Sequence, residues 1–373
     1  MKSAAKITNS NELINIKMQI FSKKNIDAAK ADIEAAKKVV ITAHLNPDGD
    51  ALGSTLALYN FLKDKKECHV VYPNNIPDTF KWMPGCGDII IWDNDKAHDI
   101  LAEADLIFLL DFNTASRVDK MQKMVEESTA VKIMIDHHPN PQEGLCKHVF
   151  SDPEAAAASE LVFLFCKECG YNLSIDSARC LYTGIVTDTG CFQFNCTTQR
   201  TFQVAGQLAA FGFDRSEIIH HIYDSYSEGR MRLMGYVLSQ KMVVFPQYHA
   251  AYISLTKAEA DQFDYRVGDT EGFVNLPLCI QDVEFSAFFM ERDGLIRCSF
   301  RSKGNFKVNT IAERYFNGGG HDNAAGGKSY KPLEEIVQRF VSLLPKITRP
   351  LQPQTRRRFV RYTKSPNPNP QKP

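Results

Sequence analysis

VVITAHLNPDGDALGSTLALYNFL, residues 39–62, reads as a strand, a turn and a helix in immediate succession. Val39 to Ala43 is an apolar, β-branched run without polar alternation, the pattern of a strand buried on both faces. The turn His44-Leu-Asn-Pro-Asp48-Gly-Asp50 then sets an imidazole and two carboxylates at the carboxyl end of that strand. In Ala51 to Leu62, Leu52, Leu56, Tyr59 and Leu62 recur at helical spacing, which predicts a helix with one apolar side. In open α/β sheets, ligands bind at the carboxyl edge of the strands. Two close carboxylates repel and are costly to desolvate unless water or a cation lies between them. Gly49 permits the tight path, and Gly53 and Ser54 let the helix approach a neighbour closely. Taken alone, the turn also fits a plainer reading in which Asp48-Gly49 is a bend and Asp50 a helix cap.

The pattern recurs, and recurrence decides between the two readings. Val70 to Tyr72, Leu106 to Leu110 and Val131 to Ile135 are further strands, with helical stretches between them, so the first half of the chain predicts a mostly parallel sheet flanked by helices. Asp111 ends the second of these runs and Asp136-His137-His138 ends the third, while Asp188 closes Tyr-Thr-Gly-Ile-Val-Thr just before Gly190. One Asp after a strand is commonly a cap; several on one predicted edge argue for a shared site. His44, Asp48, Asp50, Asp111, His137 and Asp188 together offer two imidazoles and four carboxylates. That set fits two six-coordinate divalent ions completed by water, manganese above all, with magnesium, cobalt or iron as substitutes and zinc less favoured. Pro153 suits the first turn of a helix running through Ala155 to Phe165.

At 373 residues the chain exceeds what one core organises, so two domains are expected. We place the first at 1–225, a helical linker at 226–240, a smaller α/β domain at 241–348 and a basic, proline-rich, disordered tail at 349–373. Strands resume at Met242 to Phe245 and Ala250 to Leu255. Val283 to Met290 and Leu295 to Phe300 flank Glu-Arg-Asp-Gly, a hairpin signal. A helical stretch near Val308 to Tyr315 leads into Asn-Gly-Gly-Gly-His. Lys plus Arg and Asp plus Glu number 44 each, so no excess positive field grips long nucleic acid, and any nucleotide ligand should be small. The N-terminus lacks a signal-peptide core and no run reaches membrane-spanning length, which predicts a cytoplasmic protein without membrane contact. Cys166 and Cys169 form a C-x-x-C inside an apolar helix, where core packing is the reading.

HLNPDGDALGS, the strand-end Asp111, DHHP at Asp136 to Pro139 and Asp188 resemble, in order, the motifs of the DHH phosphoesterases. GGGHDNAAG at Gly318 to Gly326 resembles the signature of their DHHA1 partner domain. The resemblance runs from about Val39 to Leu344. Within the family, the compact length and the plan without additions look most like the enzymes that degrade very short RNA and 3′-phosphoadenosine 5′-phosphate. It implies an active-site cleft between the domains. It also implies that Asp111 bridges two ions, with His44 and Asp48 completing one site and Asp50, His137 and Asp188 the other. His138 would face the substrate and Asp136 would orient its neighbours.

The mechanism implied is attack on phosphorus by a water that the two ions activate, with no protein nucleophile and with His138 supplying a hydrogen bond or proton. Arg301 and Ser302, at the end of the run Ile296 to Phe300, resemble the family's substrate strand, and Arg301 suits bidentate phosphate recognition. Gly318, Gly319 and Gly320 can offer successive backbone amides to an anion, with His321 beside them. Arg117 and Asn309 are weaker candidates for substrate contact. Short oligoribonucleotides and small nucleotides are the expected partners; linear dinucleotides such as pApA or pGpG and polyphosphate are the alternatives. The oligomeric state stays open, a homodimer included.

Overall fold

The computed structural model describes residues 19–93 and 95–348, so the basic stretch 349–373 lies outside the described residues. Two units emerge, residues 19–228 with 266–269 and residues 229–265 with 270–348.

Six parallel strands organise the first unit: β1 (Lys38–Thr42), β2 (Glu67–Tyr72), β3 (Ile90–Ile91), β4 (Leu106–Leu110), β5 (Val131–Asp136) and β6 (His148–Ser151), in the order β3-β2-β1-β4-β5-β6. Its helices are α1 (Lys23–Ala35), α2 (Gly49–Leu62), α3 (Asp95–Ala102), α4 (Gln122–Glu127), α5 (Ala158–Glu168), α6 (Ile175–Asp188), α7 (Gln199–Ala209) and α8 (Arg215–Tyr223). Alternation along the strands divides the core. Val39, Ile41, Phe108 and Ile133 pack with α1, α2, α5 and α6, whereas Val40, Ile107, Leu109 and Met134 pack with α3 and α4. Both faces are therefore covered, which explains the uninterrupted apolar runs. The strand order reverses between β1 and β4, so the segments leaving these strands diverge and open a crevice at their carboxyl ends.

Two expectations change here. α2 is not one-sided: all of Gly49 to Leu62 is buried, because α5 and α6 pack over the face turned from the sheet. The approach is close enough that a Cβ on Gly53 would stand 2.6 Å from the Cys180 carbonyl oxygen, and one on Gly184 would stand 2.7 Å from Asp50 Oδ1. Pro153, moreover, lies in a turn, and α5 starts only at Ala158. The first amides of α5 are satisfied by Asp50, whose Oδ2 accepts from Ala158 N at 2.5 Å and whose Oδ1 accepts from Ser159 N at 2.8 Å. Cys166 and Cys169 are buried in the apolar core.

The second unit carries α9 (Glu228–Tyr236), β7 (Met242–Phe245), β8 (Ala250–Leu255), α10 (Lys257–Asp261), β9 (Phe285–Arg292), β10 (Leu295–Ser302), α11 (Asn309–Tyr315), β11 (Gly319–His321), β12 (Ala324–Ser329) and α12 (Leu333–Ile347). The sheet order is β11-β12-β10-β9-β8-β7, antiparallel except where β8 meets β9. Asp293 and Gly294 turn the β9–β10 hairpin with φ of 55° and 75°, the left-handed pair that suits the twist of the strands. Phe285, Phe289, Phe300, Phe316 and Phe340 fill the core. Leu233 of α9 and Val237 pack with Ile253 and Leu255, so the polar stretch after Tyr226 is anchored in this unit from Gly229 onward. Among the described residues no helix is long and apolar enough to cross a membrane.

Candidate metal centre

His44 leaves the end of β1 with Nδ1 2.9 Å from the Leu45 carbonyl oxygen. A carbonyl only accepts, so Nδ1 carries a proton and Nε2 is the atom turned to the site, 3.4 Å from Asp111 Oδ2 and 3.8 Å from Asp48 Oδ2. Asp48 divides its two oxygens. Its Oδ1 caps α2, accepting from Asp50 N at 3.0 Å and Ala51 N at 3.1 Å, which leaves Oδ2 to the site. The helix cap is thus Asp48 rather than Asp50, and capping and ligation are compatible.

Asp111 follows β4 with φ of 58°, held by its N–H to the Ile135 carbonyl at 3.1 Å. This left-handed backbone costs a side-chain-bearing residue about 1 kcal/mol, least for Asp and Asn. His137 repeats the device of His44: its Nδ1 lies 3.2 Å from the Ala155 carbonyl oxygen. Its Nε2 accordingly faces Asp111 Oδ1 and Asp188 Oδ2, each at 3.4 Å, and Asp50 Oδ2 at 4.0 Å. Asp188 is the last residue of α6, which the tight α2–α6 packing brings to the sheet edge. Donor atoms of His44, Asp48 and Asp111 lie within 4.8 Å of one another, and so do those of Asp50, Asp111 and His137. Asp111 belongs to both groups. It also lies close to Asp136 and His138. There, however, His138 Nδ1 and Asp136 Oδ1 are 2.8 Å apart, a hydrogen bond rather than a pair of open ligands.

The carboxylates and imidazoles of the cluster perturb one another strongly. Burial pushes the Asp50 carboxyl up, and the Asp111 charge adds to it, to about 7. Burial, then the Asp50 charge, raises Asp188 well above the usual carboxylate range. Burial also opposes ionisation of Asp111, yet the His137 and His44 imidazoles hold it well below that range. For His44, burial disfavours the imidazolium, but Asp111 and Asp48 prevail and raise it to about 9; His137 rises likewise. A divalent cation held by these side chains would balance the charge of this buried set. Asp111 Oδ1 and Asp136 Oδ2 are buried without a hydrogen bond, and the former points to the same conclusion. All-oxygen and imidazole donors without thiolate fit hard divalent cations.

Arg117 is exposed in the 3-10 segment Ala115–Met121, where its carbonyl accepts from Leu45 N at 2.8 Å and its charge is felt at His44. The other candidates lie in the second unit. Arg301 and Ser302 end β10; Arg301 Nη1 donates to the Phe300 carbonyl at 3.0 Å, and Ser302 Oγ accepts from Asn323 Nδ2 at 2.8 Å. Asn309 opens α11 and donates to Asp322 Oδ1 at 3.1 Å. Gly319 and Gly320, expected with Gly318 to offer successive amides to an anion, lie in a strand. Gly319 to His321 is the edge strand β11, in register with Ala324 to Gly326. A Cβ on Gly318 would stand 1.8 Å from the Gly326 carbonyl oxygen, so this glycine is required by chain-to-chain contact.

The model of the DHH family N-terminal domain matches residues 38–185, and that of the DHHA1 domain matches residues 246–348. A Streptococcus mutans protein named a probable bifunctional oligoribonuclease and PAP phosphatase, NrnA, is 31% identical over 84% of this chain and 97% of its own. The chain belongs to the DHH family. The Bacillus subtilis bifunctional oligoribonuclease and PAP phosphatase NrnA is similar to this DHH protein at 29% identity over 78% of the chain and 89% of its own. A solved structure of an exopolyphosphatase-related protein from Bacteroides fragilis aligns with a TM-score of 0.84, at 45% identity over 88% of the chain and 97% of its own.

Sequence reading of this DHH protein missed the backbone amides of Ala158 and Ser159 that hold Asp50, since amides leave no residue-type signal. It also missed Arg200, which ties Glu160 at 2.5 Å and Asp152 at 2.8 Å behind the start of α5.

Proposed function

We propose that this DHH-family phosphoesterase uses two divalent cations, manganese first among them, to hydrolyse short oligoribonucleotides to mononucleotides and 3′-phosphoadenosine 5′-phosphate to AMP. The observation that carries the reading is the position of Asp111 in both donor groups, with His44 and Asp48 on one side and Asp50 and His137 on the other. The 3.4 Å approach of Asp188 Oδ2 to His137 Nε2 supports its assignment beside the second group. When bound, the cations would polarise the phosphoryl oxygens and lower the pKa of an attacking water. The chain's own residues do the rest. The Leu45 and Ala155 carbonyls fix His44 and His137 with Nε2 turned to the site, so no reorientation is needed on ligation. Asp136 engages His138 Nδ1 and orients the ring, and His138 supplies a hydrogen bond or proton toward the phosphoryl or leaving oxygen. Arg301, with a forked guanidinium, is the candidate for holding a second phosphate of the substrate. The names of the Streptococcus and Bacillus relatives support the substrate class.

The Bacteroides protein's name favours a second reading, cleavage of polyphosphate. Initial rates of the manganese-loaded protein on 3′-phosphoadenosine 5′-phosphate, pApA, RNA of two to five nucleotides, long RNA and polyphosphate separate the two. Fastest turnover of polyphosphate or of long RNA refutes the short-nucleotide assignment.

A further inference from the structure

Phe194 is a large aromatic ring left 45% exposed six residues after Asp188. Its ring lies over the α-carbon of Gly190: a Cβ there would meet three ring carbons of Phe194 at 2.4 to 2.7 Å. The turn between is fixed rather than loose. Gln193 N and Phe194 N both donate to the Thr189 carbonyl, at 2.9 and 3.0 Å, and Phe192 N donates to Thr189 Oγ1 at 3.0 Å. Gly190, Cys191 and Phe192 all take positive φ, of 55°, 58° and 66°, and two of them carry side chains that disfavour it. Beyond the ring, Cys196 Sγ lies 3.7 Å from the Asp188 carbonyl oxygen, so the chain folds back on that residue. The result is a part-exposed aromatic ring packed on Gly190, two residues after Asp188, in a turn that folds back on the Asp188 backbone. An exposed ring of this size leaves apolar area uncovered, and a planar apolar ligand would cover it. Acidic and basic residues balance at 44 each, so the chain as a whole carries no excess positive charge to hold a nucleic-acid backbone.

We propose that Phe194 is the shelf on which the nucleobase adjoining the scissile phosphate stacks, making it a specificity-determining residue for nucleotide over base-free phosphate. The inference rests on the short-nucleotide reading above. Stacking tolerates any base, since each offers a π face, so the shelf selects for the presence of a base and not for its identity.

Paired kinetics on 5′-phosphorylated diadenylate and its abasic counterpart test the proposal. Phe194→Ala should raise KM for the diadenylate about tenfold, with a smaller change in kcat, and the preference for base-bearing over abasic substrate in kcat/KM should shrink by a similar factor. Phe194→Trp should restore the preference, whereas Phe194→Leu, apolar but without a π face, should not. Phe211→Ala, which removes an exposed ring beyond the far end of α7, serves as the comparison and should leave that preference within twofold. Equal losses on both substrates, or a leucine variant that matches the parent, would overturn the shelf while leaving the short-nucleotide reading intact. A parent enzyme that turns over polyphosphate faster than diadenylate would overturn both.

Discussion

His138 Nδ1 and Asp136 Oδ1 stand 2.8 Å apart, with Asp136 wholly buried at the end of β5. The carboxylate can only accept, so it fixes the ring tautomer and supports positive charge on the imidazole as a proton moves. Asp136→Asn keeps the shape and removes that support. It should lower kcat about 10- to 100-fold, while calorimetric manganese affinity changes far less. An equal loss in both would make Asp136 a ligand instead.

Metal binding should be strongly pH-dependent. Burial works against the His44 imidazolium, but Asp111 and Asp48 raise it to about 9 in the metal-free protein, so a cation must displace a proton from Nε2. Apparent manganese affinity should climb with pH through neutrality, about tenfold per unit for each proton displaced, and level off above about 9. The sign reverses for the chelated protein. A histidine raised above its ordinary 6.5 contributes stability that is complete below that value and lost as pH rises through about 9. Thermal melts of chelated protein and of His44→Gln should therefore converge toward alkaline pH.

Close packing of α2 on α6 sets the position of Asp50 relative to Asp188. Gly53→Ala puts a methyl 2.6 Å from the Cys180 carbonyl oxygen, a backbone atom that cannot step aside alone. Denaturant unfolding should show a loss of about 2–3 kcal/mol, and manganese affinity should fall with it. Retained stability would mean that the two helices slide freely.

Arg301→Ala deletes the forked cation at the end of β10. We expect KM for pApA to rise about tenfold, the scale of a lost charge-assisted hydrogen bond of about 1.5–3 kcal/mol, with manganese affinity preserved. Unchanged KM on every nucleotide would remove Arg301 from substrate binding.

Much of the first sheet was readable because β1, β4 and β5 are buried on both faces and so carry apolar runs, broken in β5 only by Lys132. β3 escaped notice because it is only Ile90–Ile91, and β6 because it holds just two apolar residues, Val149 and Phe150, between His148 and Ser151. The start of α5 was misplaced at Pro153 for a different reason: its cap is Asp50, a residue 108 positions away, and only folding brings the two together. The His and Asp residues of the donor cluster were conspicuous as residue types at strand ends. What orients them, the carbonyls of Leu45 and Ala155 and the amides of Ala158 and Ser159, is main chain and has no letter in the sequence. The strand at Gly319 to His321 was not legible in the glycine run, because permissive residues signal a loop and a tight strand crossing equally well.

The left-handed turn at Asp111 narrows what can ever replace it. Glutamate would keep the charge yet meet the steric penalty of that backbone; asparagine and glycine would accept the backbone yet surrender the charge. Aspartate alone among the twenty satisfies both demands, so a designer seeking to retune this site has no freedom at its middle.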